Sequence, residues 1–242
     1  MMKEITIQVG TDRFLKMAYR EGTSDRSVIG QIWAEKSYDL LKLRRGKELV
    51  EIYKSIVSSG NNPLIVDAGA NIGASSLYFS ELYKNSQVFA LEPEINNFNL
   101  LKQNSKSKLN IKCLNAALSS KDGEMTVIDA GEGEWGFQAI SSESPPPGRV
   151  VGQVRSLSVN SIIEQTKGSC RPFIAKIDIE GGEKDVFSAN TEWVNDFPLI
   201  IIELHDWLFP SKGTSSTFLK CISSLDRDFV FIGENVFSIK NV

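Results

Sequence analysis

Residues 65–73 read IVDAGANIG, an apolar run through Asp67 into two glycines, Gly69 and Gly73, followed by the helix-like stretch ASSLYFSELYK (74–84). Strand, turn and helix in that order belong to an open α/β sheet, whose ligands sit beyond the carboxyl ends of the strands. The turn lacks the Lys-Ser/Thr pair of a phosphate-cradling loop, which disfavours a nucleoside triphosphate. Its glycines enclose Ala70, Asn71 and Ile72, so the GxGxxG spacing is absent too, and a dinucleotide is disfavoured without being excluded. Glu92 closes the next strand, QVFALEP (87–93), 19 residues after Gly73. An acid there accepts hydrogen bonds from both hydroxyls of a ribose, a group shared by NAD and S-adenosylmethionine. Asp67 opposes a pyrophosphate and suits an ammonium group, which favours S-adenosylmethionine. Asn115 and Ala116, at the end of a third strand, are placed to read an adenine edge.

Outward from that turn the pattern is regular. EINNFNLLKQNS (94–105) reads as a helix and NIKCLNAAL (110–118) as the third strand, so strands and helices alternate as in parallel βαβ units. Upstream, Leu49, Ile52, Tyr53, Ile56 and Val57 recur at helical spacing before SGNNP (59–63) breaks the helix. Residues 1–60 are therefore expected to be a helical extension and 61–242 the ligand-binding domain. Downstream, KDGEMTVIDA (121–130) suggests a hairpin, and residues 131–148, rich in glycine, serine and proline, an excursion over one face. RVVGQVRSLSV (149–159) leads as an extended segment into the helix NSIIEQT (160–166). FIAKIDIEG (173–181) and PLIIIEL (198–204) read as buried central strands, and FVFIGENVFSIK (229–240) as an antiparallel hairpin turning at GEN.

Composition sets the surroundings. The chain has 242 residues, 41% hydrophobic and 24% charged, with net charge −3, so nothing in it signals nucleic acid. PLIII (198–202) is far too short to span a bilayer, and the first ten residues lack the apolar core of a secretory signal. Three scattered cysteines without CxxC spacing read as reduced thiols of a cytoplasmic protein. A single histidine argues against a zinc site.

Taken together, IVDAGANIGASSLYF, ALEPE, NAALS and KIDIEGGE resemble the FkbM-type family of S-adenosylmethionine-dependent methyltransferases, and YREGTSD (19–25) resembles an upstream segment of some members. The likeness runs in order through residues 19–205. It implies a Rossmann-like class I methyltransferase fold, an α/β architecture with a seven-stranded, mostly parallel sheet ending in the antiparallel hairpin. It also implies methylation of a hydroxyl oxygen on a small molecule such as a sugar or glycosylated metabolite. Carried over, Asp67, Gly69, Asn71 and Gly73 surround the methionine portion, Glu92 holds the ribose, and Asn115 and Ala116 lie near adenine. Asp178 and Glu180 face the transferable methyl. Gly182 stands where many members have alanine.

A sugar hydroxyl is a weak nucleophile and benefits from a general base. Asp178, Glu180, Glu203 and His205 all fall at carboxyl ends of central strands. Asp178 and Glu180 alternate along a strand, so one of them is expected to face the cofactor and the other to cap a helix or pair with Lys176 or Lys184. Asp178, Glu180, Glu203 and Asp206 would be the oxygen ligands of Mg²⁺, but they form no compact motif, and no metal is expected. Trp135 and Phe137 either stack on a ligand or pin their loop. Arg20 and Asp25 either contact the acceptor or pack their segment on the sheet. The PPP run (145–147) reads as a stiff spacer. Two rivals remain: an NAD-dependent oxidoreductase, and a cofactor-binding module without turnover.

Overall fold

The computed structural model of the chain describes residues 1–129, 137–140 and 149–241. It opens on an antiparallel hairpin, β1 (Met2–Gly10) and β2 (Arg13–Arg20), where the sequence reading has only a helical extension. Leu15, Met17 and Tyr19 of β2 turn inward at period two, and this hydrophobic edge docks the hairpin on the core. The helical part follows: α1 (Asp25–Ile29), one π turn (Gly30–Ala34) and α2 (Gly46–Ser58). Within α2, Leu49 is fully enclosed and Ile52, Tyr53 and Ile56 pack on the same core, the face that the spacing predicts.

Next come β3 (Asn62–Ala68), α3 (Ala74–Leu82), β4 (Gln87–Leu91), α4 (Ile95–Ser105) and β5 (Ile111–Leu114). β3, β4 and β5 pair in parallel. The expected third strand divides at Asn115. Its Nδ2 donates to the carbonyls of Glu92 (2.9 Å) and Pro93 (3.0 Å), and the chain then leaves the sheet as β6 (Ala116–Leu118). β6 joins β7 (Gly123–Asp129), β8 (Phe137–Ile140) and β9 (Arg149–Leu157) in a separate sheet of order β6–β9–β7–β8. Trp135 and the PPP run lie outside the described residues, as does most of the expected excursion.

The chain continues through α5 (Val159–Gln165), β10 (Cys170–Ile177), α6 (Glu183–Val186), β11 (Leu199–Glu203), α7 (Ser216–Ile222), β12 (Arg227–Ile232) and β13 (Asn235–Lys240). The main sheet has seven strands in the order β5–β4–β3–β10–β11–β13–β12, with only β13 antiparallel to its neighbours. This is the Rossmann-like class I methyltransferase architecture expected from the sequence. Its switch point lies between β3 and β10, where a ligand crevice opens. Along β3, Ile65 enters one core while Leu64 and Val66 enter the other, so helices cover both faces. Cys113, Cys170 and Cys221 are free thiols. Among the described residues, no helix is long and apolar enough to cross a membrane.

Candidate active site

Beyond β3 the backbone turns through left-handed conformations at Gly69, Asn71 and Gly73, with φ of 72°, 48° and 92°. At Gly69 the need for glycine is absolute, because a Cβ there would lie 1.7 Å from the Asp178 carbonyl oxygen. The amides of Gly69 and Ala70 both donate to the Leu91 carbonyl (3.1 and 2.9 Å), which fastens the turn to the end of β4. Asn71 N donates to Glu92 Oε2 at 2.8 Å, and Glu94 N to Glu92 Oε1 at 2.9 Å. Glu92 is only 5% exposed, and burial pushes its carboxyl up to about 7 against the pull of those two amides. The Asn97 side chain donates to it as well, so of the roughly four lone-pair sites of a carboxylate about one is left on Glu92.

Asp67 sits behind the turn and is fully buried. The ammonium it meets is the chain's own. Lys176 Nζ lies 3.3 Å from Oδ1, while Ser75 and Ser76 donate to Oδ2 at 2.6 and 2.5 Å. Lys176 also donates to the carbonyls of Gly69 (2.7 Å) and Ala68 (3.2 Å) and lies 3.4 Å from Asp178 Oδ2. Burial opposes its charge, but Asp178 and Asp67 outweigh that and hold it above its ordinary value. One buried lysine thus braces the glycine turn against the fourth strand of the parallel set.

β10 stops at Ile177, so Asp178 and Glu180 stand in a loop, with Glu180 at φ 51° and Gly181 at φ 90°. The alternation expected of a strand does not apply, and both acids approach the same histidine. His205 Nε2 lies 3.3 Å from Glu180 Oε2, 3.5 Å from Glu203 Oε1 and 3.6 Å from Asp178 Oδ1. On the other side of the ring, Nδ1 is 2.6 Å from Oε1 of the fully buried Glu183. Burial disfavours the imidazolium, but Glu183, Glu180 and Asp178 together lift the ring to about 9. Burial and the nearby Asp178 push Glu180 up to about 8 and Glu203 up to about 7. Asp206, by contrast, faces Ser215, whose hydrogen bonds hold its carboxyl below the usual range, so it stands apart from this cluster.

A cavity of about 680 Å³ joins the two regions. Asn71, Glu92 and Ala116 line one end, and Asp178, Glu180 and Glu203 the other. Asp67 and Asn115 lie behind the wall, where both brace backbone. The N-terminal segment supplies a further side through Ser27, Gln31, Tyr38 and Lys42. Arg20 and Asp25 do not line it. They pair with each other (Arg20 Nη2 to Asp25 Oδ1, 2.8 Å), and Arg20 Nη2 donates to Asn97 Oδ1 at 2.7 Å, which ties the segment to α4.

Sequence reasoning gave no role to Glu183, Tyr38 or Trp207. Glu183 closes the KIDIEGGE stretch, five residues after Asp178, and its place in that acidic stretch is the available signal. Tyr38 is buried against Phe79 at 5.5 Å between ring centroids, and the 60% exposed Trp207 lies 6.4 Å from the His205 ring. Only the folded chain brings these two to the cavity.

Comparison with known proteins adds an independent line. The family described as Methyltransferase FkbM domain matches residues 67–230. A hexuronic acid methyltransferase, AglP of Haloferax volcanii, is 23% identical over 233 residues, covering 94% of this chain and 92% of that protein. Methyltransferase sdnD of Sordaria araneosa is 37% identical over 73 residues, 29% of this chain and 28% of that protein. Among solved structures, precorrin-6y C5,15-methyltransferase from Geobacter metallireducens aligns with a TM-score of 0.39 at 12% identity, over 79% of this chain and 88% of that one.

Proposed function

Because this chain belongs to the FkbM methyltransferase family, we propose that it moves the methyl group of S-adenosylmethionine onto a hydroxyl of a small molecule, a saccharide or glycosylated metabolite. The observation that carries this reading is the continuity of one cavity from Glu92 and the glycine turn to the carboxylates around His205. Family membership also selects against the oxidoreductase rival. The saccharide acceptor is supported by the hexuronic acid methyltransferase among the relatives.

The site residues fit the donor. Glu92 keeps acceptor capacity for a ribose hydroxyl, and the buried Asn71 Oδ1, without a hydrogen-bond partner, is free to accept from the amino end. Ala116 and Leu91 form an apolar wall suited to adenine. When bound, the donor supplies an electrophilic methyl, so the chain's main task is to align the acceptor for in-line attack. In its ionised form, which gains population as pH rises toward about 8, Glu180 takes the acceptor's proton in this reading: its Oε2 is buried without a hydrogen-bond partner, in a side chain that lines the cavity. His205, named from the sequence as a candidate base, already holds a proton at neutral pH and is committed to Glu183, so it orients the acids. Asp178 anchors the acceptor end to Lys176 and thereby to the turn. Residues 24–42 serve as a cover for the acceptor, since several of them line the cavity. The free thiols agree with a cytoplasmic setting.

Calorimetric titration with S-adenosylhomocysteine, with NAD as control, tests the donor. Binding of the former alone is expected, and methyl incorporation into free sugars and uronic acids then tests the acceptor. Binding of NAD alone would sink the reading, and donor binding with no turnover on any acceptor would favour a module without catalysis.

A further inference from the structure

The cluster around His205 has two properties that proton transfer does not require. First, His205 is 1% exposed, and its Nε2 has no hydrogen-bond partner although it points at three carboxylates. Second, the fully buried Glu183 engages Nδ1, which fixes the ring so that Nε2 faces Asp178 and Glu203. A buried carboxylate on one ring nitrogen that aims the other at a group of anionic oxygens is the outer arrangement of a metal-ligating histidine.

We propose that Asp178, Glu203 and His205 form a divalent-cation site at the acceptor end of the cavity, an inference that rests on the methyltransferase reading for its catalytic use but not for its existence. One ligand atom from each of the three lies within 4.8 Å of the others. Around an ion with bonds of about 2.1 Å, opposite ligands stand about 4.2 Å apart, so small side-chain rotations close the site. The charge count agrees: Asp178, Glu180, Glu183 and Glu203 converge on one imidazole, and Lys176 reaches only Asp178 among them. A cation takes the place of the proton on Nε2 and offsets the excess. Two carboxylates with one imidazole suit an Mn²⁺-like ion better than Ca²⁺, which prefers oxygen alone.

Three protein ligands leave coordination positions open toward the cavity, as a catalytic site requires. An acceptor hydroxyl entering one of them becomes more acidic, and a neighbouring oxygen can take a second, so the ion selects acceptors with adjacent oxygens. Glu180 stays outside the set and keeps its role toward the proton. The site runs against the sequence expectation of no metal, because the loop after β10 and the turn of His205 bring together groups that the sequence shows as scattered.

The test is an Mn²⁺ titration of the full chain, freed of metal by dialysis against chelator and followed by electron paramagnetic resonance. S-adenosylhomocysteine calorimetry runs in parallel on the same preparation. One bound Mn²⁺ per chain is expected, displaced by excess Mg²⁺. Glu203→Gln and, separately, the more conservative Glu183→Gln should each weaken Mn²⁺ at least about tenfold while the protein still binds S-adenosylhomocysteine. Mn²⁺ affinity in Glu203→Gln unchanged from the native chain, or no Mn²⁺ binding by a chain that binds S-adenosylhomocysteine, would overturn the site. Mn²⁺ binding without S-adenosylhomocysteine binding would instead uphold the site and count against the methyltransferase donor.

Discussion

At Glu92 one carboxylate joins the glycine turn to the start of α4, through the amides of Asn71 and Glu94. Its replacement by alanine should weaken S-adenosylhomocysteine by about 1–3 kcal/mol, the scale for hydrogen-bonding groups left unpaired, as read by calorimetry. The carboxyl titrates near pH 7, and only its ionised form is acceptor-only toward a hydroxyl. Donor affinity should therefore tighten as pH rises through about 7, and Glu92→Gln should remove that step. Gly69 is held by a different constraint. Gly69→Ala puts a methyl into the Asp178 carbonyl at a φ of 72° and should cost at least about 2 kcal/mol in urea denaturation. Both residues stand out in the sequence, because a strand-end acid and an obligatory glycine are local signals. The partner of Asp67 does not: Lys176 is 109 positions away in the chain and becomes adjacent only because β3 and β10 pair in the sheet.

Among the elements, β3, β4, β11 and the terminal hairpin were legible because their apolar runs are bounded by turn residues. The strand at 110–118 was misread as continuous, since periodicity does not record that the Asn115 side chain takes two carbonyls of the β4 end. The segment after Ile177 was misread for a related reason. Left-handed φ values at Glu180 and Gly181 turn the chain just beyond the strand end at Ile177, and a glutamate gives no sign of that conformation in advance. The N-terminal hairpin is tied to α4 through Arg20, Asp25 and Asn97. Asp25→Asn removes the buried carboxylate that faces Arg20 and should cost about 3 kcal/mol, the order for breaking a buried pair. Faster hydrogen exchange confined to β1, β2 and α1 should accompany the loss. Unchanged exchange there would mean that apolar docking by Leu15, Met17 and Tyr19 is sufficient.

For the molecule as a whole, four groups in or beside the cavity titrate between about 7 and about 9, all above their ordinary values: Glu92 and Glu203 at about 7, Glu180 at about 8, and His205 at about 9. A raised value means that the folded state binds the proton more tightly than the unfolded chain. Each such contribution is complete below the unfolded value and disappears as pH rises through the folded one. In chelator, without donor, the melting temperature should thus fall as pH climbs from about 5 to about 9, by roughly 2–4 °C per kcal/mol for a chain of this size. Added Mn²⁺ should restore part of the loss at the alkaline end, since it substitutes for protons in the same cluster. A flat profile in chelator would show that the cavity takes up enough water to relieve its charges.

The sequence by itself determined the parallel βαβ order, the glycine turn, the strand-end position of Glu92 and the antiparallel close of the sheet. These follow from short-range rules, namely side-chain period, turn chemistry and the spacing from a strand end to its helix. Tertiary structure decided which charges meet. It gave Asp67 to Lys176, turned both Asp178 and Glu180 toward His205, set Glu183 behind the ring, and brought Tyr38 and Lys42 to the cavity from the N-terminal segment. The physical reason is that Coulomb and hydrogen-bond energies depend on distance in space, and a sheet of order β5–β4–β3–β10–β11–β13–β12 makes neighbours of strands far apart in the chain.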